Sequence, residues 1–480
     1  MSSKPKCVIS FGTDGWRSTM NTDLTTQNLA IAAQGIASYL IKQKRNTKGV
    51  IIGYDTRRNS QLFAEEVATV FLGNGIKVFL TDQDTPIPVV TYEILNRKLD
   101  GGVMITASHN PPEYNGIKFI PYYASPALPE VTDSIMEEIR KVWENRSVKK
   151  EALQNAEKSK RLEKINIKQA YLTHVLKIIK GDIIKKAKLK VVFDALYGTS
   201  RTYLPDLLKK LGVEVEVHHD NIDPTFGGGS PNPSEENLKL IGETISKRKL
   251  DLGLACDGDA DRMGVLDNEG TFLHANILFA LLFDYELDQG KKGDVVRTVG
   301  TTHLIDRIAK VHNCKVYETP VGAKFVGQHM REKKLLIGGE ESGGMMFRDH
   351  IAEKDGIFAN LKVLEMVAYY QFPLSKITAN LFQKYGKIYF TLINFPCKDE
   401  NKEKAMKNIV KILPKTVCGL KVVSTTDMDG FKFVLEDNSW LLIRPSGTEP
   451  LLRLYGEANS EKELNDILNE GKQLLERTQI

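Results

Sequence analysis

Val103-Met104-Ile105-Thr106-Ala107-Ser108-His109-Asn110-Pro111-Pro112 runs from an apolar, strand-like stretch into a small-residue turn that breaks on a proline pair. Such residues predict that Ser108 lies at a loop tip, where a hydroxyl is presented for reaction. The same order recurs twice downstream: Leu252-Gly253-Leu254-Ala255 leads to Asp257, and Leu335-Leu336-Ile337 leads to Glu340. Two further strands precede each of these. They are Val50-Ile51-Ile52-Gly53 and Lys77-Val78-Phe79-Leu80, then Val191-Val192-Phe193-Asp194 and Val213-Glu214-Val215-Glu216-Val217, then Val295-Val296-Arg297-Thr298 and Lys315-Val316-Tyr317. Short apolar strands alternating with helix-length segments predict βαβ units, hence three similar α/β domains with mixed, mostly parallel sheets. After Tyr370 the pattern changes to strand-like Ile388-Tyr389-Phe390 and Trp440-Leu441-Leu442-Ile443 among helical stretches. Ser460-Glu461-Lys462-Glu463 reads as a capping box opening the last helix, so the C-terminal part is a smaller α+β domain.

A chain of 480 residues is too long for one core. The expected domains are 1–150, 165–290, 291–380 and 386–480, carrying in turn the serine loop, the acidic loop and two further ligand loops. The charged stretch from Arg140 to Lys168 reads as a solvated helical connection between the first two. A net charge of +5 with both signs intermixed leaves no basic stripe for nucleic acid. Five scattered cysteines without a C-x-x-C pair argue against disulfides and structural zinc. No apolar run reaches the ~18 residues of a membrane span, and Met1 to Phe11 lacks a signal-peptide core, so a cytoplasmic location is expected.

Asp257-Gly258-Asp259-Ala260-Asp261-Arg262 sets three carboxylates at alternate positions, where a curling loop can aim them at one hard cation such as Mg²⁺. An EF-hand is ruled out, because Arg262 and Asn268 stand where its Gly and Glu belong. A haloacid-dehalogenase nucleophile motif is weakened by Asp261, where Thr or Val is normal. Arg444-Pro445-Ser446-Gly447-Thr448 combines a forked cation, hydroxyls and a glycine, the composition of an anion-binding loop. Gly338-Gly339-Glu340-Glu341-Ser342-Gly343-Gly344 brackets acids and a hydroxyl with glycines and suits a sugar ring. Phe11-Gly12-Thr13-Asp14-Gly15-Trp16-Arg17, Asp55-Thr56-Arg57-Arg58 and Tyr114-Asn115-Gly116-Ile117-Lys118 are candidates to bring cations toward Ser108.

Together, and in this order, these motifs resemble the α-D-phosphohexomutase superfamily over essentially the whole chain. The resemblance implies a four-domain, heart-shaped molecule with one central cleft to which each domain contributes a loop. It implies that Ser108 carries a phosphoryl group and joins Asp257, Asp259 and Asp261 in binding Mg²⁺. Glu341, Ser342 and Gly343 would contact the sugar; Arg444, Ser446, Gly447, Thr448 and Arg453 would hold the distant phosphate. Arg17, Lys118, Arg262 and Lys324 would serve the transfer, with Lys118 or Lys324 as general base. Bacterial phosphomannomutase/phosphoglucomutases usually have histidine where this chain has Gly344. The Glu-Glu-Ser loop and Thr319-Pro320-Val321-Gly322-Ala323-Lys324-Phe325 are similar to phosphoglucomutases, and phosphoglucosamine mutases usually have Gln at the place of Glu341.

The expected activity is therefore interconversion of glucose 1-phosphate and glucose 6-phosphate through phosphoserine, with glucose 1,6-bisphosphate as intermediate and activator. Phosphomannomutase or dual activity is the first alternative. A Mg²⁺-dependent sugar phosphatase using Asp257, or a silent sugar-phosphate-binding protein, also remains open. The expected partner is a hexose phosphate, without nucleic acid or membrane, and the chain is expected to be a monomer or small homo-oligomer.

Overall fold

The computed structural model describes residues 7–12, 15–447 and 450–477. Three α/β units repeat one sheet plan. In each, the first strand of the repeat lies between the second and third, and all three are parallel. The first unit is Val78–Thr81, Val50–Tyr54, Gly101–Ile105; the second Glu214–His218, Lys190–Asp194, Leu252–Cys256; the third Val316–Thr319, Val295–Thr298, Ile337–Gly339. Helices cover both faces of such sheets, so their inner strands are apolar on both sides, whereas the edge strand Glu214–His218 alternates valine with charged residues. Val50 and Ile52 face one core while Ile51 faces another, and all three are fully buried.

A fourth strand, running antiparallel, returns beside each third strand: Tyr114–Pro121, Met263–Leu266 and Met345–Phe347. Every motif of the repeat therefore occupies the same place, the hairpin loop at the carboxyl end of the third parallel strand. There, open α/β sheets gather their ligands. The first return strand contains the residues read as a cation-bearing loop around Lys118. Its buried Asn115 and Lys118 interrupt the apolar run that marks the other strands.

The structure corrects two boundaries. The stretch 140–168 is not simply a solvated connection: Leu162–Ile165 pairs in parallel with Val78–Thr81 and extends the first sheet past residue 150. Its exposed Glu163 and Lys164 are the charges that mark an edge strand. The helix Ala275–Asp288 falls with the third unit, not the second. Its buried residues pack on helices Leu304–Val311 and Gly356–Tyr370, and Phe279 fills the space beside Gly339.

The last domain is an entirely antiparallel sheet in the order Tyr389–Pro396, Leu451–Ala458, Trp440–Pro445, Phe431–Leu435, Leu420–Thr426, Thr416–Val417. Helices Asp399–Lys411 and Glu461–Arg477 pack on it, and Ser460 Oγ caps the latter by accepting from Glu463 N at 3.2 Å. The largest apolar core runs continuously through the first three units, whereas the fourth domain has its own. A small cluster of Val299, Trp440, Leu442 and Tyr455 joins the third and fourth. All five cysteines are free thiols. Among the described residues no helix is long and apolar enough to cross a membrane.

Helices Thr26–Lys42 and Pro129–Asn145 approach at Gly35, where a Cβ would lie 3.0 Å from Ile139 N and 3.1 Å from its Cα. Overpacking a contact of this kind costs about 1–3 kcal/mol. Gly35→Val is expected to lower stability by that amount in chemical denaturation; an unchanged midpoint would show that the helix pair has room to spare.

Candidate active site

Ser108 lies in the first hairpin loop but is not displayed at its tip: its exposure is 0%. The acidic loop of the second unit covers it, so close that a Cβ on Gly258 would lie 2.7 Å from Ser108 O. Ser108 sits in the left-handed region, φ +53°, with its N–H donated to Thr106 Oγ1 at 2.8 Å. Arg57 holds the loop in this shape. Its terminal nitrogens donate to the carbonyls of Ser108, Asn110 and Pro111 at 2.6, 2.6 and 2.8 Å, and to that of Tyr114 at 3.1 Å. Its Nε donates to buried Asp55 at 3.1 Å. Arg57, weighed from sequence as a cation for the reaction, is a clamp on the serine loop.

Ser108 Oγ donates to Asp257 Oδ2 at 2.8 Å. Asp257, Asp259 and Asp261 are all buried, and each offers an oxygen within 4.8 Å of the others. The loop is pinned from several sides: Asp257 Oδ1 accepts from the amides of Asp261 and Arg262, Asp259 O from Ile87 N, and Ala260 O from Gly356 N. Like charges this close repel, and burial raises the cost. Burial first, then Asp261 and Asp259, push the Asp257 carboxyl well above its usual range. Asp261 moves the opposite way. Burial alone would raise it, but Lys354, Lys118 and Arg262 outweigh that and hold it well below.

These cations come from three units. Lys118 Nζ lies 2.9 Å from Asp259 Oδ2 and 3.6 Å from Asp261 Oδ2; Lys354 Nζ lies 2.9 Å from Asp261 Oδ2; Arg262 Nε lies 3.7 Å from Asp261 Oδ1. Asp259 Oδ1 and Asp261 Oδ1 remain buried with no hydrogen-bond partner. Buried carboxylate oxygens left in this state, in a cluster whose Asp257 binds the serine hydroxyl, fit a hard divalent cation of the Mg²⁺ type. A second acidic group, Asp284, Asp288 and His312, is different: Lys384 and Tyr385 already bind its carboxylates.

Arg17 Nη1 donates to Asn110 Oδ1 at 3.0 Å, bringing a further cation to the serine loop. His109 Nδ1 is 3.3 Å from Ser108 Oγ, and Arg262 together with burial pushes the imidazole pKa well down. The sugar-loop candidates adjoin the acidic loop, with Gly343 O accepting from Met263 N at 3.2 Å. Glu341 Oε2 accepts from Thr298 Oγ1 at 2.9 Å, while Ser342 is exposed. Lys324, at the start of helix Ala323–Lys333, has its Nζ 5.2 Å from the centre of the Phe325 ring.

In the fourth domain Arg444 and Arg453 are register partners on adjacent strands, a like-charge pair that suits an anion. Ser446 is buried, with its carbonyl accepting from Lys402 Nζ at 2.6 Å; Gly447 is exposed. Thr448, and Thr13 and Asp14 of the N-terminal motif, lie outside the described residues.

Sequence reasoning missed Lys354 and Glu353, carried just ahead of helix Gly356–Tyr370. The usable signal was Gly344. A Cβ there would fall 2.8 Å from Lys354 Cγ, so the glycine leaves room for the lysine stem that reaches Asp261.

Fold and site together define an enzyme of phosphoryl transfer. Comparison with known proteins carries this further. Residues 8–146, 169–270 and 274–385 match the phosphoglucomutase/phosphomannomutase alpha/beta/alpha domains I, II and III, and residues 392–471 match the C-terminal domain. A phosphoglucomutase/phosphomannomutase of Thermococcus kodakarensis is 32% identical over 469 residues, 97% of this chain and 98% of that one. A phosphoglucosamine mutase of Methanocaldococcus jannaschii is 31% identical over 89% of this chain and 92% of that one. The crystal structure of a putative phosphomannomutase from Thermus thermophilus superposes with a TM-score of 0.85 at 26% identity, covering 99% of this chain and 100% of the other. The chain belongs to the phosphoglucomutase/phosphomannomutase family of the α-D-phosphohexomutase superfamily.

Two outcomes follow from the buried charges. Replacing Arg57 leaves Asp55 buried without its partner, a loss of about 3–5 kcal/mol. Arg57→Met should therefore show a large fall in denaturation midpoint, and a midpoint near that of the wild type would deny the clamp. Burial pushes the Glu353 carboxyl up to about 8, with Lys354 opposing. The folded state thus holds this proton more tightly than the unfolded chain, and the associated stability is lost as pH rises through about 8. Glu353→Gln should remove that loss, so its stability relative to wild type rises between pH 5 and 9; parallel pH profiles would contradict the shift.

Proposed function

We propose that the protein interconverts glucose 1-phosphate and glucose 6-phosphate by way of phosphorylated Ser108. The observation that carries this reading is the buried Ser108 hydroxyl, 2.8 Å from Asp257 within the carboxylate cluster. When bound by Ser108, Asp257, Asp259 and Asp261, Mg²⁺ supplies positive charge against the developing charge on the transferring phosphoryl group. Lys118 and Arg262 add to it. The bond from Ser108 Oγ to phosphorus breaks as one forms from the free sugar hydroxyl, giving glucose 1,6-bisphosphate. Lys118 or Lys324 takes the hydroxyl proton, a role that needs the lysine held neutral by burial or by a neighbouring cation. Returning the other phosphate to Ser108 requires the bisphosphate to turn around. Arg444, Ser446, Gly447 and Arg453 supply a second phosphate site in another domain, able to grip either end in turn. Lys324 and Arg17 complete the cationic lining.

Glu341, Ser342 and Gly343 contact the sugar ring in this reading, with the Glu341 carboxylate accepting from hydroxyls. Glucose and mannose differ only at C2, and one hydrogen bond there contributes about 0.5–1.5 kcal/mol net, so dual activity is compatible with the site. A second reading, a phosphoglucosamine mutase, is favoured by the name of the relative from Methanocaldococcus jannaschii. A carboxylate at 341 would also pair with an amino group.

Initial rates with Mg²⁺ and trace bisphosphate, comparing glucose, mannose and glucosamine 1-phosphates while assaying free phosphate, separate these readings. The expected result is fastest isomerisation of glucose 1-phosphate without phosphate release. A higher kcat/KM for glucosamine 1-phosphate would transfer the assignment to the amino sugar, and stoichiometric phosphate release would replace the mutase by a phosphatase. Ser108→Ala should abolish turnover while keeping the wild-type melting transition; an active variant would remove Ser108 from the chemistry.

A further inference from the structure

The geometry points to Asp429 as a positioning residue that aims Arg444 at the distal phosphate and ties that grip to the third unit. Asp429 lies in the turn before strand Phe431–Leu435, outside every motif of the sequence. A single oxygen of its carboxylate, Oδ2, accepts two bonds. One comes from Arg444 Nε at 2.7 Å; the other crosses the domain boundary from Val321 N at 3.0 Å. Fixing Nε orients the guanidinium plane, and with it the fork of terminal N–H groups that suits a phosphate. Holding Val321 N fixes the chain just ahead of Gly322 and helix Ala323–Lys333, which begins with Ala323 and Lys324.

The local chain is built for this contact. Gly430, at φ +89°, lays the turn directly on the Arg444 backbone, where a Cβ would come within 2.9 Å of Arg444 Cα. Two residues on, Lys432 is 1% exposed and donates across the same boundary to Val299 O and Glu318 Oε1, both at 2.9 Å. The turn is thereby seated on the third unit independently of Asp429. Removing the Asp429 charge should then loosen the aim of Arg444 without detaching the domain. The sugar loop is nearby: Glu341 is among the groups that raise the Arg444 pKa, after Asp429 and Tyr455, against the lowering effect of burial.

This inference rests on the reading of Arg444 as a phosphate-binding group, and its test separates the two. Steady-state kinetics would use the full chain with the hexose 1-phosphate it turns over fastest, trace 1,6-bisphosphate and Mg²⁺. Asp429→Asn should raise KM about tenfold, as expected for one charge-assisted hydrogen bond, with kcat within about threefold. Asp429→Glu should restore part of the loss. Arg444→Met should raise KM at least as much, and Asp429→Asn should then add nothing further, the signature of one acting through the other. An Asp429→Asn KM within twofold of wild type, beside a raised KM for Arg444→Met, would overturn the positioning role alone. So would a full additional tenfold in the Arg444→Met background, or a lowered melting temperature with unchanged KM. An unchanged KM in Arg444→Met would overturn both the phosphate reading and this inference.

Discussion

Three carboxylates packed within 4.8 Å of one another and sealed from water are the constraint around which this molecule is assembled. Unneutralised, such a cluster would oppose folding. The neutralising side chains are distributed so that the first three units must dock to supply them: Lys118 from the first, Arg262 from the second, Lys354 from the third. The electrostatic need and the interdomain architecture are therefore one problem with one solution. The serine hydroxyl is drawn into the same arrangement, which explains why it is covered.

The repeated sheet plan makes this convergence possible. The same hairpin, at the end of the same strand, carries the serine in one unit, the aspartates in the next and the glycine-flanked acids in the third. The three loops differ in chemistry while the scaffold beneath them is the same. The fourth domain is built differently, from antiparallel strands, and places its arginines side by side on neighbouring strands instead of in a βαβ loop.

Much of this was legible in the sequence because parallel strands buried on both faces leave unbroken apolar runs. Val50-Ile51-Ile52 and Leu252-Gly253-Leu254-Ala255 could be read directly. The return strand Tyr114–Pro121 could not, since Asn115 and Lys118 are buried for the site's sake and break the pattern. Leu162–Ile165 was hidden by the charges that protect an edge, and helix Ala275–Asp288 by an apolarity that says it is buried without saying beneath which sheet. Ser108 and the aspartates were recognisable because their chemistry is written in adjacent residues. Lys354 and Asp429 act on partners distant along the chain, and a single charged residue in a charged neighbourhood has no local signature.

The apolar core runs without a break through the first three units and reaches the fourth at Phe390; the fourth otherwise keeps its own core and meets them through a small cluster and polar ties. In mechanical terms the molecule is an anvil with one jaw. The anvil holds Ser108 and the charges around it in fixed positions, because moving any part of it would tear a shared interior. The jaw keeps an interior of its own and is joined to the rest through an interface that is partly polar. Such a division puts the carboxylate cluster and the paired arginines on bodies with separate interiors.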